Sequence, residues 1–276
     1  MLTIGWFSTG RDEAARQLLQ VVYQKIHTGE IKSKIVFTFS NREPGEDKES
    51  DLFFEMVRSY KIPLICFSSQ KFKDSSGITG KAAGKAAGKA LREWRLEYDR
   101  EVMKRLDGFH PDLCVLAGYM LIVGKEMCHR YDMINLHPAA PIGPKGSWQE
   151  VIWTLIENKA SQSGAMMHLV TPELDRGPVI TYCTYPIRGK PFDDYWRELA
   201  SRLIADIKKE QGEKNALFQL IRQHGLAREF PLIMSTLKAF SQGEIKIETG
   251  KLFDRKGSPI SGYDLSDEVN RATGLP

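Results

Sequence analysis

"LTIGWFSTGRDEAARQLLQVVYQKI", Leu2 to Ile26, sets the architecture. Leu2–Phe7 is a short apolar run that reads as a strand. A turn follows, and Leu18, Leu19, Val22 and Ile26 then recur at the spacing of an amphipathic helix. "KIVFTFS" (Lys34–Ser40) is a second strand, so the opening forty residues read strand, crossover helix, strand. The rhythm continues with an acidic loop, a helix around Leu52–Tyr60 and the strand "PLICF" (Pro63–Phe67). "DLCVLAGYM" (Asp112–Met120) reads as a buried strand, and "MINLH" (Met133–His137) as the next.

Alternation of this kind predicts an α/β fold: an open, mostly parallel, Rossmann-like sheet with helices on both faces. Ligands of such sheets bind beyond the carboxyl ends of the strands. "LAGYM" and "NLHPAA" lie at such ends. The second half reads as a helix around Trp148–Glu157, then antiparallel strands Gly164–Val170 and Pro178–Ile187 joined by the loop "TPELDRG". "PFDDYWRELASRLIADIKKEQGEKNALFQLIRQHG" reads as one or two helices and "REFPLIMSTLKAFSQG" as another, before the short strands "EIKIE" and "KLFD".

Between Ser75 and Leu91, "GKAA" repeats with a period of four, placing Lys81, Lys85 and Lys89 on one face. This is either a solvated insertion, loose at its start, or a basic flap. No linker interrupts the chain. Residues 1–257 are expected to form one catalytic domain carrying that insertion near 75–91, and 258–276 an ordered but irregular extension.

The net charge of +4 is too small to argue for a nucleic-acid partner, and no basic patch with interleaved aromatics stands out. No run reaches membrane-spanning length, and the N-terminus lacks a basic signal-peptide start. The four cysteines, Cys66, Cys114, Cys128 and Cys183, lie far apart, two of them inside apolar strand candidates. The expectation is a reduced cytoplasmic protein with no structural zinc and no membrane partner. Oligomeric state is left open.

Asn135, His137 and Asp175 are the catalytic candidates. Residues i and i+2 of a strand point to one side, so "MINLH" presents an amide beside an imidazole. The amide N–H can stabilise an oxyanion; the imidazole can donate to it or relay a proton; a carboxylate can hold the imidazole charged or order a water. No serine or cysteine stands in a recognisable nucleophile setting. The nucleophile is therefore expected on the substrate, for example an amine.

"MINLHPAAP", followed after a helix by "GAMMHLVTPELDRGPVI", resembles the folate-dependent formyltransferases, and among them those that formylate glycinamide ribonucleotide in purine synthesis. "SKIVFTFSNRE", "PDLCVLAGYM" and "EFPLIMSTLKAFSQGEIKI" extend the likeness over most of the chain. The resemblance implies 10-formyltetrahydrofolate as formyl donor, Asn135, His137 and Asp175 as the catalytic set, and no metal. It implies that the folate lies against "GYMLIV", with Met120, Leu121 and Val123 lining it, and that His168 orients the Asp175 loop.

The family's phosphate loop follows the first strand, where helix N–H groups hold the substrate phosphate. Here that place reads "STGRDEAARQ". Ser8, Thr9, Gly10 and Arg11 are the substrate-binding candidates, but Asp12 and Glu13 stand where the helix begins. A carboxylate ~4 Å from a phosphate charge costs about 4 kcal/mol at an effective dielectric of about 20. The phosphate site is then either rebuilt around Arg11 or missing. Leu226 stands where the family has an acid toward the substrate ribose, Leu121 where it has a basic residue, and "PAAPIGPKG" where it has "PSLLP".

The leading expectation is formyl transfer to glycinamide ribonucleotide. The alternatives are another amine such as an amino sugar nucleotide, a formyltetrahydrofolate hydrolase, or a catalytically silent folate-binding homologue. The hydrolases usually carry an extra N-terminal domain, and this catalytic domain is expected to start at Met1. Methionyl-tRNA is disfavoured by the lack of a basic C-terminal domain. A dehydrogenase is disfavoured because no G-x-G-x-x-G follows the first strand.

Overall fold

The structure is a computed structural model and describes residues 1–75, 85–173, 175–200 and 202–275. The chain divides into two compact units, Met1–Asn135 with Leu169–Gly177, and Leu136–His168 with Pro178–Pro276.

The first unit alternates as the sequence predicts. Its elements are β1 (Leu2–Phe7), α1 (Glu13–His27), β2 (Ser33–Ser40), α2 (Lys48–Ser59), β3 (Leu64–Cys66), α3 (Ser69–Ser75), α4 (Lys85–Arg105), β4 (Leu113–Leu116), α5 (Lys125–Arg130) and the start of β5 (Met133–His137). The strands lie in the order β5-β4-β1-β2-β3, every pair parallel. One row crosses all five: Asn135 pairs with Leu116, Leu116 with Phe7, Phe7 with Phe39 and Phe39 with Ile65. On one face Phe7, Phe39, Cys114, Leu116 and Met133 pack with Trp94, Tyr98 and Val102 of α4 and Met127 of α5. Alternate strand residues point the other way, and Trp6, Thr38, Val115 and Ile134 are buried there. α1 and α2 bury Leu18, Leu19 and Val22, and Phe53, Phe54 and Val57. Helices therefore cover both faces.

β4 stops at Leu116, not Met120. Gly118 turns the chain with φ +70°, and its carbonyl accepts the Thr9 amide. α2 starts four residues earlier than its apolar spacing suggests, because the Asp47 carboxylate accepts the Glu49 and Ser50 amides and caps it. The start of the "GKAA" repeat, with Lys81, falls on residues 76–84, outside the described residues, and the rest opens α4.

The second unit completes β5 and adds α6 (Trp148–Glu157), β6 (Gln162–Leu169), β7 (Val179–Pro186), α7 (Asp193–Ala200), α8 (Ile204–Gln211), α9 (Ala216–Ser241), β8 (Ile245–Glu248), β9 (Lys251–Asp254), β10 (Tyr263–Asp264) and α10 (Ser266–Thr273). β6 and β7 are antiparallel, as expected, and β8 with β9 forms a separate antiparallel pair. The core here joins Val151, Ile152, Trp153 and Ile156 of α6 to Leu217, Phe218 and Ile221 of α9.

Two expectations change. The helix expected to break near Gly225 is one continuous α9 that runs through Gly225 and Pro231. Burial overrides the local breakers: Leu217, Phe218, Ile221, His224, Arg228, Leu232 and Ile233 are all buried along it. The tail after Ser258 is not irregular. It supplies β10, parallel to β7, and α10. The Leu265 amide donates to the Tyr182 carbonyl, the Thr184 amide donates to Ser266 Oγ, and Asn270 Nδ2 donates to the Thr184 carbonyl. Among the described residues no helix is long and apolar enough to cross a membrane.

Candidate active site

The row Ile65–Phe39–Phe7–Leu116–Asn135 is the last of β1 and β4 and the last but one of β2 and β3. The loops that follow β1, β4 and β5 are the ones singled out in the sequence. β5 alone runs two residues beyond the row, to His137. Asn135 is half-buried and His137 is 3% exposed. Asn135 pairs with Leu116, whose side chain joins the α4 cluster.

In the second unit, the Pro144 carbonyl lies 3.2 Å from His137 Nε2. A carbonyl only accepts, so this bond puts the proton on Nε2. The His168 ring sits edge-on to His137, centroids 6.4 Å apart and planes at 84°. His168 is buried at the end of β6, just past a register shift between Met167 and His168. The "PAAPIGPKG" segment keeps its stiffness through the Gly143 amide bonded to the Ala140 carbonyl and the Ser147–Glu150 capping box that opens α6. It leaves Ile142 fully exposed, with φ +65°.

Asp175 lies in the β6–β7 loop, in the first unit. It is half-buried and adopts φ +53°, a conformation that Asp tolerates better than most residues and that collects at functional sites. The loop has little freedom. The Val170 amide bonds to the Met133 carbonyl at 2.7 Å, and the Arg176 amide to the Glu173 carbonyl. A Cβ on Gly177 would overlap the Leu169 carbonyl oxygen, so no other residue fits there. Leu174 lies outside the described residues.

The loop after β1 is tied inward. Thr9 Oγ1 donates to Asn41 Oδ1 at 2.7 Å and accepts the Met120 amide at 3.1 Å. The Thr9 carbonyl accepts Ser50 Oγ at 3.0 Å. Thr9 thus rivets the loops after β1, β2 and β4. Ser8 is fully buried, and its Oγ accepts the Gly10 amide at 3.1 Å. Gly10 has φ +64°, and a Cβ there would stand 2.8 Å from the Phe53 ring. Asp12 caps α1, its Oδ1 accepting the Ala15 amide at 3.0 Å. The exposed Arg11 reaches back to Asp12, Nε to Oδ2 3.2 Å. α2 repeats the arrangement, with Arg42 2.9 Å from its cap Asp47.

The structure therefore brings Thr9 to Met120 in the first unit and sets His137 beside His168 in the second. Met120 is an exposed apolar side chain, Leu121 packs at the edge of the α4 cluster, and Val123 is inside it. The cysteines behave as packing residues. Burial pushes the Cys66 thiol up to about 11 and Cys114 further.

Sequence reading missed Asn41, which holds Thr9, and Asp99, a buried carboxylate on α4. Asp99 had a signal: it is an acid on the stripe formed by Trp94, Tyr98 and Val102.

A formyl transferase family model matches residues 13–204 and leaves the loop after β1 outside the match. The chain is similar to the phosphoribosylglycinamide formyltransferase of Escherichia coli (strain K12), 28% identical over 172 residues, 61% of this chain and 68% of that one. A shorter likeness, 34% identical over 91 residues and 31% of each chain, is to the formyltetrahydrofolate deformylase of Haemophilus influenzae. Among solved structures, the phosphoribosylglycinamide formyltransferase of Coxiella burnetii superposes with a TM-score of 0.64 at 20% identity, covering 95% of this chain and 98% of that one.

Proposed function

The chain belongs to the formyl transferase family, and from that premise we propose that it moves a formyl group from 10-formyltetrahydrofolate to a substrate amine. The phosphorylated amine phosphoribosylglycinamide is the leading acceptor, which would place the reaction in purine biosynthesis. One observation carries the reading. β5 overruns the row where β4 and β1 stop, and carries Asn135 and His137 two residues apart, the spacing of the family motif.

The donor supplies the formyl group and takes up a proton at N10 as its C–N bond breaks. Asn135 donates its side-chain N–H to the formyl oxygen as negative charge gathers there. His137 donates a ring N–H to the same oxygen, and its Nε2 proton must first leave the Pro144 carbonyl. Asp175 favours the charged imidazole and orders the water that carries the amine proton away. Met120, Leu121 and Val123 hold the folate ring system, and His168, whose ring meets that of His137, orients the Asp175 loop. For the acceptor, Thr9 and Ser8 shape the loop after β1, with Gly10 allowing its turn. Arg11 is the cation there, once drawn away from Asp12.

The test is release of deformylated folate from a 10-formyl folate analogue, followed by absorbance with and without phosphoribosylglycinamide. Release that needs the amine and disappears in Asp175→Asn supports this reading. Release without amine supports the second one, hydrolysis, which the likeness to a deformylase motivates. Binding without release from any amine would overturn both.

A further inference from the structure

We propose that Asp99 is a positioning residue for the formyl-donor site, fixing the turn 120–124 by accepting the Gly124 amide. The inference rests on the donor reading above. The turn is held at both ends. At one, the Met120 amide donates to Thr9 Oγ1 at 3.1 Å. At the other, the Gly124 amide donates to Asp99 Oδ2 at 2.5 Å. Between them lie Leu121 and Val123, the proposed folate lining.

Three features argue that this contact is built in. Asp99 is 3% exposed, and burying a carboxylate is costly unless something uses it. Gly124 is the N-cap of α5 and has no side-chain cap of its own. A Cβ on Gly124 would stand 2.8 Å from Asp99 Oδ2 and 3.3 Å from Leu96, so the close approach requires glycine.

The groups around Asp99 are Arg95 and Tyr98 on its own helix, Glu126 and Cys128 on α5, and Tyr119 after β4. Burial dominates and raises the carboxyl to about 7, with the Gly124 amide and Arg95 opposing and Glu126 adding to the rise. The ionised carboxylate is the stronger acceptor. The turn is then held more firmly above neutral pH than below it, and donor binding should follow.

The experiment has two readouts. In the ligand-free ¹⁵N-labelled chain, the Gly124 amide resonance should titrate with a midpoint near 7, and that titration should vanish in Asp99→Asn. Separately, the Kd of a 10-formyl folate analogue should fall by about tenfold between pH 6 and pH 8, the scale of one charge-assisted hydrogen bond. In Asp99→Asn it should stay flat at the weaker value, with donor KM raised more than kcat is lowered. Gly124→Ala, which breaks the contact from the other side, should weaken binding to the same level, and the double variant should add nothing. A resonance that does not titrate, or identical donor binding in Asp99→Asn and the parent at both pH values, overturns the inference alone. A parent chain that binds no folate analogue at any pH overturns the donor reading and this inference with it.

Discussion

Two loops of the first unit make opposite statements. The loop after β1, residues 8–12, lies outside the family match, and the chain's own groups fill it. Asp12 takes the helix amide that an anion would use, and Ser8 and Thr9 bond inward. The loop at 169–177 carries "ELDRG", and its backbone admits only glycine at 177, which packs on the Leu169 carbonyl. The contrast teaches that the groups proposed to move protons are held by backbone geometry, whereas those proposed to choose the acceptor are ordinary side chains, free to vary.

The largest effect expected bears on the second of these loops. Asp175→Asn should lower kcat for formyl transfer by about 10³-fold, the scale of a lost proton-transfer group, with the melting temperature little changed. A kcat within a few-fold of the parent would remove Asp175 from the chemistry. Gly177→Ala should cost about 3 kcal/mol in urea unfolding, at the upper end for overpacking. Gly10→Ala should cost about 2 kcal/mol, from the Phe53 contact and the left-handed backbone. Equal, small costs would erase the distinction between the loops.

Asp12→Ser sharpens the other side. Serine keeps the cap but removes the charge, so KM for a phosphorylated amine should fall about tenfold if the phosphate approaches this helix, as Coulomb repulsion of a few kcal/mol partly screened by water requires. An unchanged KM would put the phosphate elsewhere. Arg11→Ala is the smallest step: an exposed cation paired with Asp12 should change that KM by about threefold.

A stability measurement complements these. A carboxyl whose folded-state pKa is raised holds its proton more tightly when folded than when unfolded. The stability Asp99 confers is therefore complete below about pH 4, its unfolded value, and is lost as pH rises through its folded value of about 7. Asp99→Asn should raise Tm by about 5 °C at pH 8 and leave it unchanged near pH 4. Stability traded for a held turn is the pattern expected of a functional site.

Much of this was legible beforehand. β1, β5 and α6 fall where they are expected: apolar runs mark the two strands, and the Ser147 cap fixes the start of α6. The Asn135–His137 pair follows from strand periodicity alone. What escaped depends on distant partners. No local pattern predicts that α9 survives Gly225 and Pro231, since burial along its whole length decides it. Thr9 reads as a ligand-binding hydroxyl until Asn41 and Met120 are brought to it. Asp99 lies within an amphipathic stripe, and only its meeting with Gly124 distinguishes it from a misplaced surface acid.

The outer side of β7 carries a further consequence. An uncovered strand edge is a template on which another chain can add and aggregate. β10 covers two rungs of that edge, and past it the Thr184 amide and carbonyl are taken by Ser266 Oγ and Asn270 Nδ2. Side chains on a helix present no repeating backbone for a newcomer to copy. The last stretch of the chain thus works as a stopper against self-association, and its loss should show as clumping before any loss of secondary structure.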